Sequence, residues 1–210
     1  MGILCVQRAG KEDFYMERQA FVGEDEVIRM NVELAIRRDF TMEDIKDLPE
    51  GVRAELIDGQ IFYFAAPKEI HQRLLGNLYF GIREYVKKNE GTCKVYMAPF
   101  AVNLSEDGKN YLEPDMIVVC DKNKIKEDGC YGTPDFVIEI ISKSTKARDY
   151  GIKTLKYRNS GVKEYWIVDP VREIVLTYWF EDETFNTIYG INDEIESKLF
   201  PGLTVNAMKE

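Results

Sequence analysis

Two kinds of hydrophobic pattern alternate along the chain and predict its helices and strands. Apolar residues recur at helical spacing in residues 67–91 and again in residues 145–160, before Gly161. A shorter helix is predicted for residues 42–48, with Thr41 as its N-cap. The other apolar blocks are short runs of β-branched and aromatic residues between turn residues, which is typical of strands.

The strand pattern predicts one sheet preceded by a hairpin. The runs AELI and QIFYFAA are joined by Asp58-Gly59, a strong signal for a two-residue hairpin turn. Three predicted strands follow the first long helix and two follow the second: CKVYMAPFAVNL, YLEPDMIVVC, PDFVIEIIS, KEYWIVD and EIVLTYWF. We therefore expect an α/β domain over residues 41–210, with helices flanking a central mixed β-sheet, and an N-terminal extension over residues 1–40 that packs on it.

The composition is compatible with one domain that has a substantial core, since 45% of the 210 residues are hydrophobic. No stretch approaches the roughly 20 apolar residues that a membrane-spanning helix needs, and the N-terminus lacks the pattern of a secretion signal. The four cysteines are scattered without a CxxC pair, which indicates neither a zinc site nor a disulfide framework. We therefore expect reduced thiols and a cytoplasmic location, without membrane contact.

The formal net charge of -9 argues against a protein that coats nucleic acid. Affinity for the phosphate backbone comes largely from basic residues that release counterions. However, a cluster of acidic metal ligands contributes to the negative count, and bound Mg²⁺ would offset part of it. The charge therefore disfavours a nucleic-acid partner without excluding one.

Glu139 is the most informative candidate for chemistry, because it lies in the middle of the apolar run FVIEII. Alternation along a strand places it on one face with Val137 and Ile141. An ionised carboxylate left unpaired in such surroundings costs several kcal/mol or more. Glu139 therefore needs a cation, a hydrogen-bond network or a metal as its partner, and an ordinary salt bridge to a lysine stays open beside the metal.

Asp115 provides a second carboxylate, at the start of the apolar run MIVVC on the preceding predicted strand. If the two strands are neighbours, the side chains of Asp115 and Glu139 converge. Two carboxylates with open coordination positions suit Mg²⁺ or Mn²⁺, which retain waters and accept phosphate oxygens. The alternative is that Asp115 merely begins a strand.

The second long helix provides a cation. Asp149 and Lys153 are four residues apart on one helical face, and Lys153 can lie over the sheet. A lysine near a metal-bound phosphate can position the attacking water and stabilise developing negative charge. An ordinary surface ion pair between Asp149 and Lys153 explains the spacing equally well.

These residues resemble a known pattern. Pro114-Asp115, followed one strand later by Glu139, is similar to the PD-(D/E)XK motif of restriction-endonuclease-like proteins. More specifically, the chain resembles the bacterial Uma-two family of proposed nucleases over about residues 41–205, through the strings ELIDGQI, EPDMIVVC, DFVIEIIS, KSTKARDYGIKTLKY, GVKEYWIVDP and FPGL.

The resemblance implies a restriction-endonuclease-like fold in which Asp115 and Glu139 bind the metal. The usual motif has a lysine two residues after the acidic one, where this chain has Ile141. In the family the lysine comes from the following helix, which matches Lys153 here. The resemblance also adds two candidate metal ligands, which are Glu55 in ELIDG and His71 in the His-Gln pair. A solvated hairpin glutamate and an ordinary helix histidine are the alternatives for these two residues.

Three basic residues near the start of the second long helix are candidates for phosphate contacts: Lys143, Lys146 and Arg148. They form a small basic patch, which is also typical of a solvated helix start.

The sequence thus predicts a Mg²⁺- or Mn²⁺-dependent endonuclease that hydrolyses phosphodiester bonds in DNA. Asp115 and Glu139 would bind the metal, and Lys153 would assist attack by water. A homodimer is possible by analogy with nucleases that cut both strands. Two alternatives remain: a nuclease-fold module with weak or no catalysis that binds nucleic acid or a protein partner, favoured by Ile141 and the acidity, and a metal-dependent hydrolase of smaller phosphates.

Overall fold

The computed structural model describes residues 39–89, 91–142 and 145–209. The N-terminal extension predicted over residues 1–40 lies outside these ranges except for its last two residues, so its packing stays a prediction. Within the described ranges, the helical segments are α1 (Met42–Lys46), α2 (Glu69–Lys88), a π-helix (Arg148–Lys153) that continues into α3 (Thr154–Ser160), and two short 3₁₀ turns (Lys122–Lys124 and Glu183–Phe185).

The strands of the described residues are short and belong to three sheets. Their bounds are β1 (Ala54–Ile57), β2 (Gln60–Tyr63), β3 (Lys94–Met97), β4 (Ala101–Asn103), β5 (Tyr111–Leu112), β6 (Met116–Val119), β7 (Ile125–Lys126), β8 (Gly129–Tyr131), β9 (Phe136–Ile140), β10 (Glu164–Asp169), β11 (Ile174–Trp179), β12 (Thr187–Gly190), β13 (Ile195–Glu196) and β14 (Thr204–Val205). The first sheet has the order β2-β1-β5-β4-β8-β7, the second has the order β12-β11-β10-β9-β6-β3, and β13 pairs with β14.

The second sheet is the central layer. Its strand β9 runs parallel to β10 and antiparallel to β6, so this sheet is mixed as predicted. On one face, Leu74, Leu78 and Ile82 of α2 share a core with Phe136 and Ile138 of β9. Each such buried side chain contributes about 1.5–3 kcal/mol.

The other face of the central sheet is covered by α3 and by the first sheet. Val137 and Ile141 share this second core with Tyr157 of α3 and with Ile57 and Val102 of the first sheet. The faces of β9 therefore alternate as the sequence predicted. The mixed α/β fold class is confirmed.

The prediction of a single sheet is wrong, because two of the predicted strands are interrupted by a proline. The predicted strands CKVYMAPFAVNL and YLEPDMIVVC are each divided between the two sheets, at Pro99 and at Pro114. Because proline has no N–H to donate, it cannot continue a ladder, and the chain crosses to the other sheet there. The polar segment predicted as a loop also contains the hairpin of β7 and β8.

The expectation of reduced thiols is wrong for two of the cysteines. Cys93 and Cys120 form a disulfide. Antiparallel pairing of β3 with β6 sets Lys94 opposite Val119, and the next positions outward are these two cysteines. Cys130 is free and buried, as expected of an ordinary apolar thiol.

In the part of the chain that the structure describes, no helix is both long and apolar enough to cross a bilayer.

Candidate active site

Asp115 is fixed at the end of the central sheet, immediately before β6. Pairing of β6 with β9 sets Met116 opposite Ile138, so Asp115 lies beside Glu139 on the neighbouring strand. The backbone N–H of Ile140 donates a hydrogen bond to Asp115 Oδ2 at 2.7 Å. The two strands are neighbours as predicted, and the side chain of Asp115 is 18% exposed, which leaves it accessible to a ligand.

His71 approaches the same carboxylate from the first turn of α2. Its Nε2 lies 3.1 Å from Asp115 Oδ1, and its buried Nδ1 has no hydrogen-bond partner. Two ligands at right angles on one cation, with bonds of about 2.1 Å, are also about 3 Å apart. The separation therefore fits either a direct histidine–aspartate hydrogen bond or two ligands of one metal ion.

Glu139 receives two hydrogen bonds on one oxygen. The Lys153 ammonium donates to Glu139 Oε1 at 2.8 Å, and the Tyr157 hydroxyl donates to the same oxygen at 2.7 Å. Glu139 is 3% exposed and Lys153 is 1% exposed. These contacts explain how a carboxylate is tolerated within β9. Lys153 also contacts other carboxylates, so a lysine partner and a metal both stay open for Glu139.

Lys153 is shared by three buried carboxylates. Its Nζ lies 2.8 Å from Glu55 Oε2 of β1, without the alignment of a hydrogen bond, and 3.5 Å from Asp149 Oδ1 on the π-helix. Arg148 Nε lies 3.5 Å from the other oxygen of Glu55. Thus Glu55 is not a solvated hairpin residue, and Asp149 and Lys153 are not a surface pair.

The wide turn of the π-helix helps to form this cluster. The hydroxyl of Thr154 donates to the backbone carbonyl of Asp149, five residues earlier. The hydroxyl of the buried Tyr165 donates to the same carbonyl. A π-turn of this kind frequently occurs at functional sites. The hydrophobic pattern predicted a helix here but gave no signal of its wider turn.

The cluster has an excess of negative charge. Four carboxylates, those of Glu55, Asp115, Glu139 and Asp149, face the cations Arg148 and Lys153. Burial raises the pKa of Glu139 well above its usual value; Lys153 opposes this shift, whereas the neighbouring carboxylates reinforce it. Burial also raises the pKa of Asp149.

Lys153 keeps its proton despite burial. Burial by itself lowers the pKa of this lysine, but the charges of Glu139, Glu55 and Asp149 outweigh it and hold the pKa well above its usual value. The ammonium is therefore a fixed positive charge beside Glu139 at neutral pH.

The donors fit Mg²⁺ or Mn²⁺ in chemistry and charge. Carboxylate oxygens are preferred ligands of these ions, and a divalent cation would offset the negative charge that the neighbouring carboxylates place on Glu139. Across residues 39–89, 91–142 and 145–209, no three His, Cys, Asp or Glu side chains are close enough to hold a metal ion. The pair Asp115 and Glu139, with Glu55 and His71 near them, would hold the ion together with water and substrate oxygens.

The predicted phosphate contacts occupy different surroundings. Arg148 is packed over the ring of Phe62, 4.6 Å from its centroid, besides its contact with Glu55. Lys146 is exposed, with Nζ 3.7 Å from Asp169 Oδ2. Lys143 lies outside the described residues. Nucleic-acid binding by all three stays a prediction.

The sequence prediction missed one group that completes the cluster. Tyr157 was not among the predicted site residues, whereas its hydroxyl is a direct partner of Glu139. The signal that could have found it was its spacing of four residues from Lys153.

The fold is shared with a solved crystal structure. A crystal structure of a "putative nuclease belonging to DUF820" from Anabaena variabilis is similar with a TM-score of 0.64 and 20% sequence identity, over 80% of this chain and 95% of that chain. At this identity the similarity establishes the fold, which is restriction-endonuclease-like. The comparison with curated proteins gave no match.

The family follows from the sequence. The model of the Uma2 family, described as "Putative restriction endonuclease", matches residues 42–208. The chain therefore belongs to the Uma2 family, and the resemblance noted from its motifs is confirmed.

Proposed function

We propose that the protein is a Mg²⁺- or Mn²⁺-dependent endonuclease that hydrolyses phosphodiester bonds in DNA. The fold and the family support a nuclease. The observation that carries the finer proposal is the buried Glu139–Lys153 contact directly beside the partly exposed Asp115. Two acids that can bind a divalent cation, with a fixed ammonium beside one of them, are suited to phosphodiester hydrolysis assisted by that cation.

Each residue has a distinct task in this proposal. Asp115 and Glu139 would bind the divalent cation, with Glu55 and His71 as further candidate ligands. The cation would supply neutralisation of phosphate charge and activation of water. The protonated Lys153 stabilises negative charge that develops at phosphorus and positions the attacking water.

The substrate's backbone would be held by basic residues around the π-helix. Lys143, Lys146 and Arg148 are the proposed phosphate contacts, although Arg148 is already engaged by Glu55 and Phe62. We expect a homodimer for cleavage of both strands, by fold analogy alone. Sedimentation or light scattering of the purified protein would measure the mass of the particle directly.

Cleavage assays with conservative variants test the proposal. Purified protein with MgCl₂ or MnCl₂ is expected to cut plasmid or single-stranded DNA. Asp115→Asn and Glu139→Gln, which keep the side-chain size, should each reduce the rate by at least about 100-fold, because each removes a charged ligand. Glu196→Gln, a change at an exposed acid, serves as the control and should cut like the wild type. Equal rates in all four proteins would refute the assignment.

The alternative of a module with weak or no catalysis also has a specific observation in its favour. Glu139 and Lys153 are almost fully enclosed, and three-ligand groups are absent from the described residues. Calorimetric titration with MnCl₂ separates the two functions. Binding that Asp115→Asn abolishes favours the nuclease, whereas no binding to the wild type favours the module.

A further inference from the structure

An open groove lies on the outer side of the π-helix. It is lined by Lys146, Ala147, Tyr150 and Arg172, the last of which belongs to the turn between β10 and β11. The Lys146 ammonium lies 5.9 Å from the centroid of the Tyr150 ring. Two cations thus border a groove that has an aromatic wall.

Asp169 lies beside the groove, in contact with three of its lining residues, and its carboxylate is already satisfied. This side chain is buried and accepts hydrogen bonds from the Tyr150 hydroxyl at 2.9 Å and from the backbone N–H groups of Val171 and Arg172 at 3.0 Å each. Lys146 is only loosely paired with it, at 3.7 Å. Among the described residues, no carboxylate forms an ion pair with the guanidinium of Arg172, so positive charge at the rim is available to an anion.

The register of the central sheet locates this groove next to the candidate active site. β9 and β10 are parallel with Val168 opposite Ile140, so Asp169 ends β10 at the same end of the sheet where the Ile140 N–H holds Asp115. β6 and β10 are separated by one strand, β9. At about 4.8 Å between neighbouring strands, β10, which ends at Asp169, is about 10 Å from β6, which begins after Asp115, and this lateral separation is the minimum distance between the groove and Asp115.

We propose that Lys146 and Arg172 bind a backbone phosphate of a nucleic-acid strand in this groove, while another phosphate of that strand lies at Asp115 and Glu139. The proposal rests on the proposed function and makes it more specific. A lateral separation of about 10 Å is larger than a single phosphate group, so only a strand with two or more phosphates occupies both sites at once. The substrate is therefore an extended strand, not a small phosphate ester.

A second basic cluster provides a matched control. Arg83, Lys87 and Lys94 border a pocket beside Cys93. Arg83 is twelve residues beyond His71 on α2, about 18 Å along the helix axis, and Lys94 is opposite Val119 at the far end of β6 from Asp115. Removing Arg83 changes the net charge as removing Arg172 does, but away from the candidate active site.

Binding without cleavage tests the groove independently of catalysis. Fluorescence anisotropy would measure the affinity of the full-length protein for labelled 20-nucleotide DNA and RNA in EDTA at low salt. Arg172→Ala should bind about tenfold more weakly, and Arg172→Lys should recover part of the affinity, because a phosphate contact with a charged donor is lost or weakened. The dependence of log K on log salt should become shallower by about 0.7–0.9 in Arg172→Ala. Arg83→Ala should stay within about twofold of the wild type.

Three results would overturn the proposal: no binding by the wild type, equal losses in Arg172→Ala and Arg83→Ala, or displacement of the oligonucleotide by thymidine monophosphate at concentrations similar to those of the unlabelled oligonucleotide. Arg172-dependent binding without cleavage would support the groove and refute the nuclease. Cleavage of DNA, together with equal losses of binding in Arg172→Ala and Arg83→Ala, would support the nuclease and refute the groove. Thermal unfolding of Arg172→Ala should stay within a few degrees of the wild type, because the backbone N–H that bonds Asp169 is retained and only the side-chain contact with Tyr150 is lost.

Discussion

Lys153 is the residue on which most of the buried charge depends. Its ammonium is the shared partner of Glu139 and Glu55 at 2.8 Å and of Asp149 at 3.5 Å. Removing one member of a buried ion pair leaves an uncompensated charge in a poorly solvated interior. Loss of the Lys153 ammonium would leave the carboxylates of Glu55 on β1, Glu139 on β9 and Asp149 on the π-helix without their shared cation.

Lys153→Met is therefore expected to lower the free energy of unfolding by about 3–5 kcal/mol. In the double variant Lys153→Met/Glu139→Gln the loss should be smaller than the sum of the single losses, because the neutral amide does not need the ammonium. Urea denaturation would measure all three values. Lys209→Met, at a side chain that is 73% exposed, should change the value by no more than about 0.5 kcal/mol. Additive losses would show that Lys153 and Glu139 do not stabilise each other.

At the scale of the element, Asp169 holds the end of β10 to the π-helix and to the following turn. Burial raises the pKa of this carboxyl, but the hydrogen bonds from the Arg172 N–H, the Tyr150 hydroxyl and the Val171 N–H, with the charge of Lys146, outweigh burial and lower it. The ionised carboxylate is thus favoured in the folded protein. If the Asp169 carboxylate were removed, the Tyr150 hydroxyl, the N–H groups of Val171 and Arg172, and the Lys146 ammonium would all lose the same partner.

The contribution of Asp169 to stability is expected to depend on pH. Because its pKa is lower in the folded than in the unfolded chain, the contribution is fully present above the unfolded value near 4 and is lost as the pH falls through the folded value. Asp169→Asn should therefore be less stable than the wild type by a constant amount, about 1–3 kcal/mol, between pH 5 and pH 7. The difference should shrink below pH 4. Denaturant unfolding at a series of pH values would measure it, and a difference that grows on acidification would contradict the assignment.

At the scale of the whole molecule, the candidate metal ligands come from distant parts of the chain. Glu55 lies in the first sheet, Asp115 and Glu139 in or beside the central sheet, and His71 on α2. Only the folded chain brings them together. A cation that binds them should therefore shift the unfolding equilibrium toward the folded state.

MnCl₂ is expected to raise the midpoint of thermal unfolding relative to EDTA. At a concentration 100 times the dissociation constant, binding adds about 2.7 kcal/mol, which corresponds to several degrees for a domain of this size. Asp115→Asn should abolish the rise and Glu196→Gln should retain it. Differential scanning calorimetry would measure the midpoints. The same rise in both variants would place the ion elsewhere.

Much of this protein's secondary structure follows from the local pattern of apolar and turn residues in its sequence. The turn at Asp58-Gly59, the position of α2 and the alternation along β9 follow from the period of the apolar residues and from turn chemistry, and all three are present. The importance of Glu139 also followed from local pattern, because the cost of burying a carboxylate can be stated before its partner is known. The motifs were sufficient to indicate the family.

Tertiary structure alone decided which groups meet. The disulfide of Cys93 with Cys120 depends on the register of β3 and β6. The division of two predicted strands at Pro99 and Pro114 and the hydrogen bond from Tyr157 to Glu139 depend on how the two sheets and α3 pack together. Local hydrophobic period specifies which face of an element is buried, but not which element covers it. Contacts across sheets are set by packing of the whole chain. For this reason the sequence named Lys153 and Glu55 as candidates, but only the fold shows that the Lys153 ammonium joins Glu139 to Glu55 and Asp149 and that Tyr157 completes the cluster.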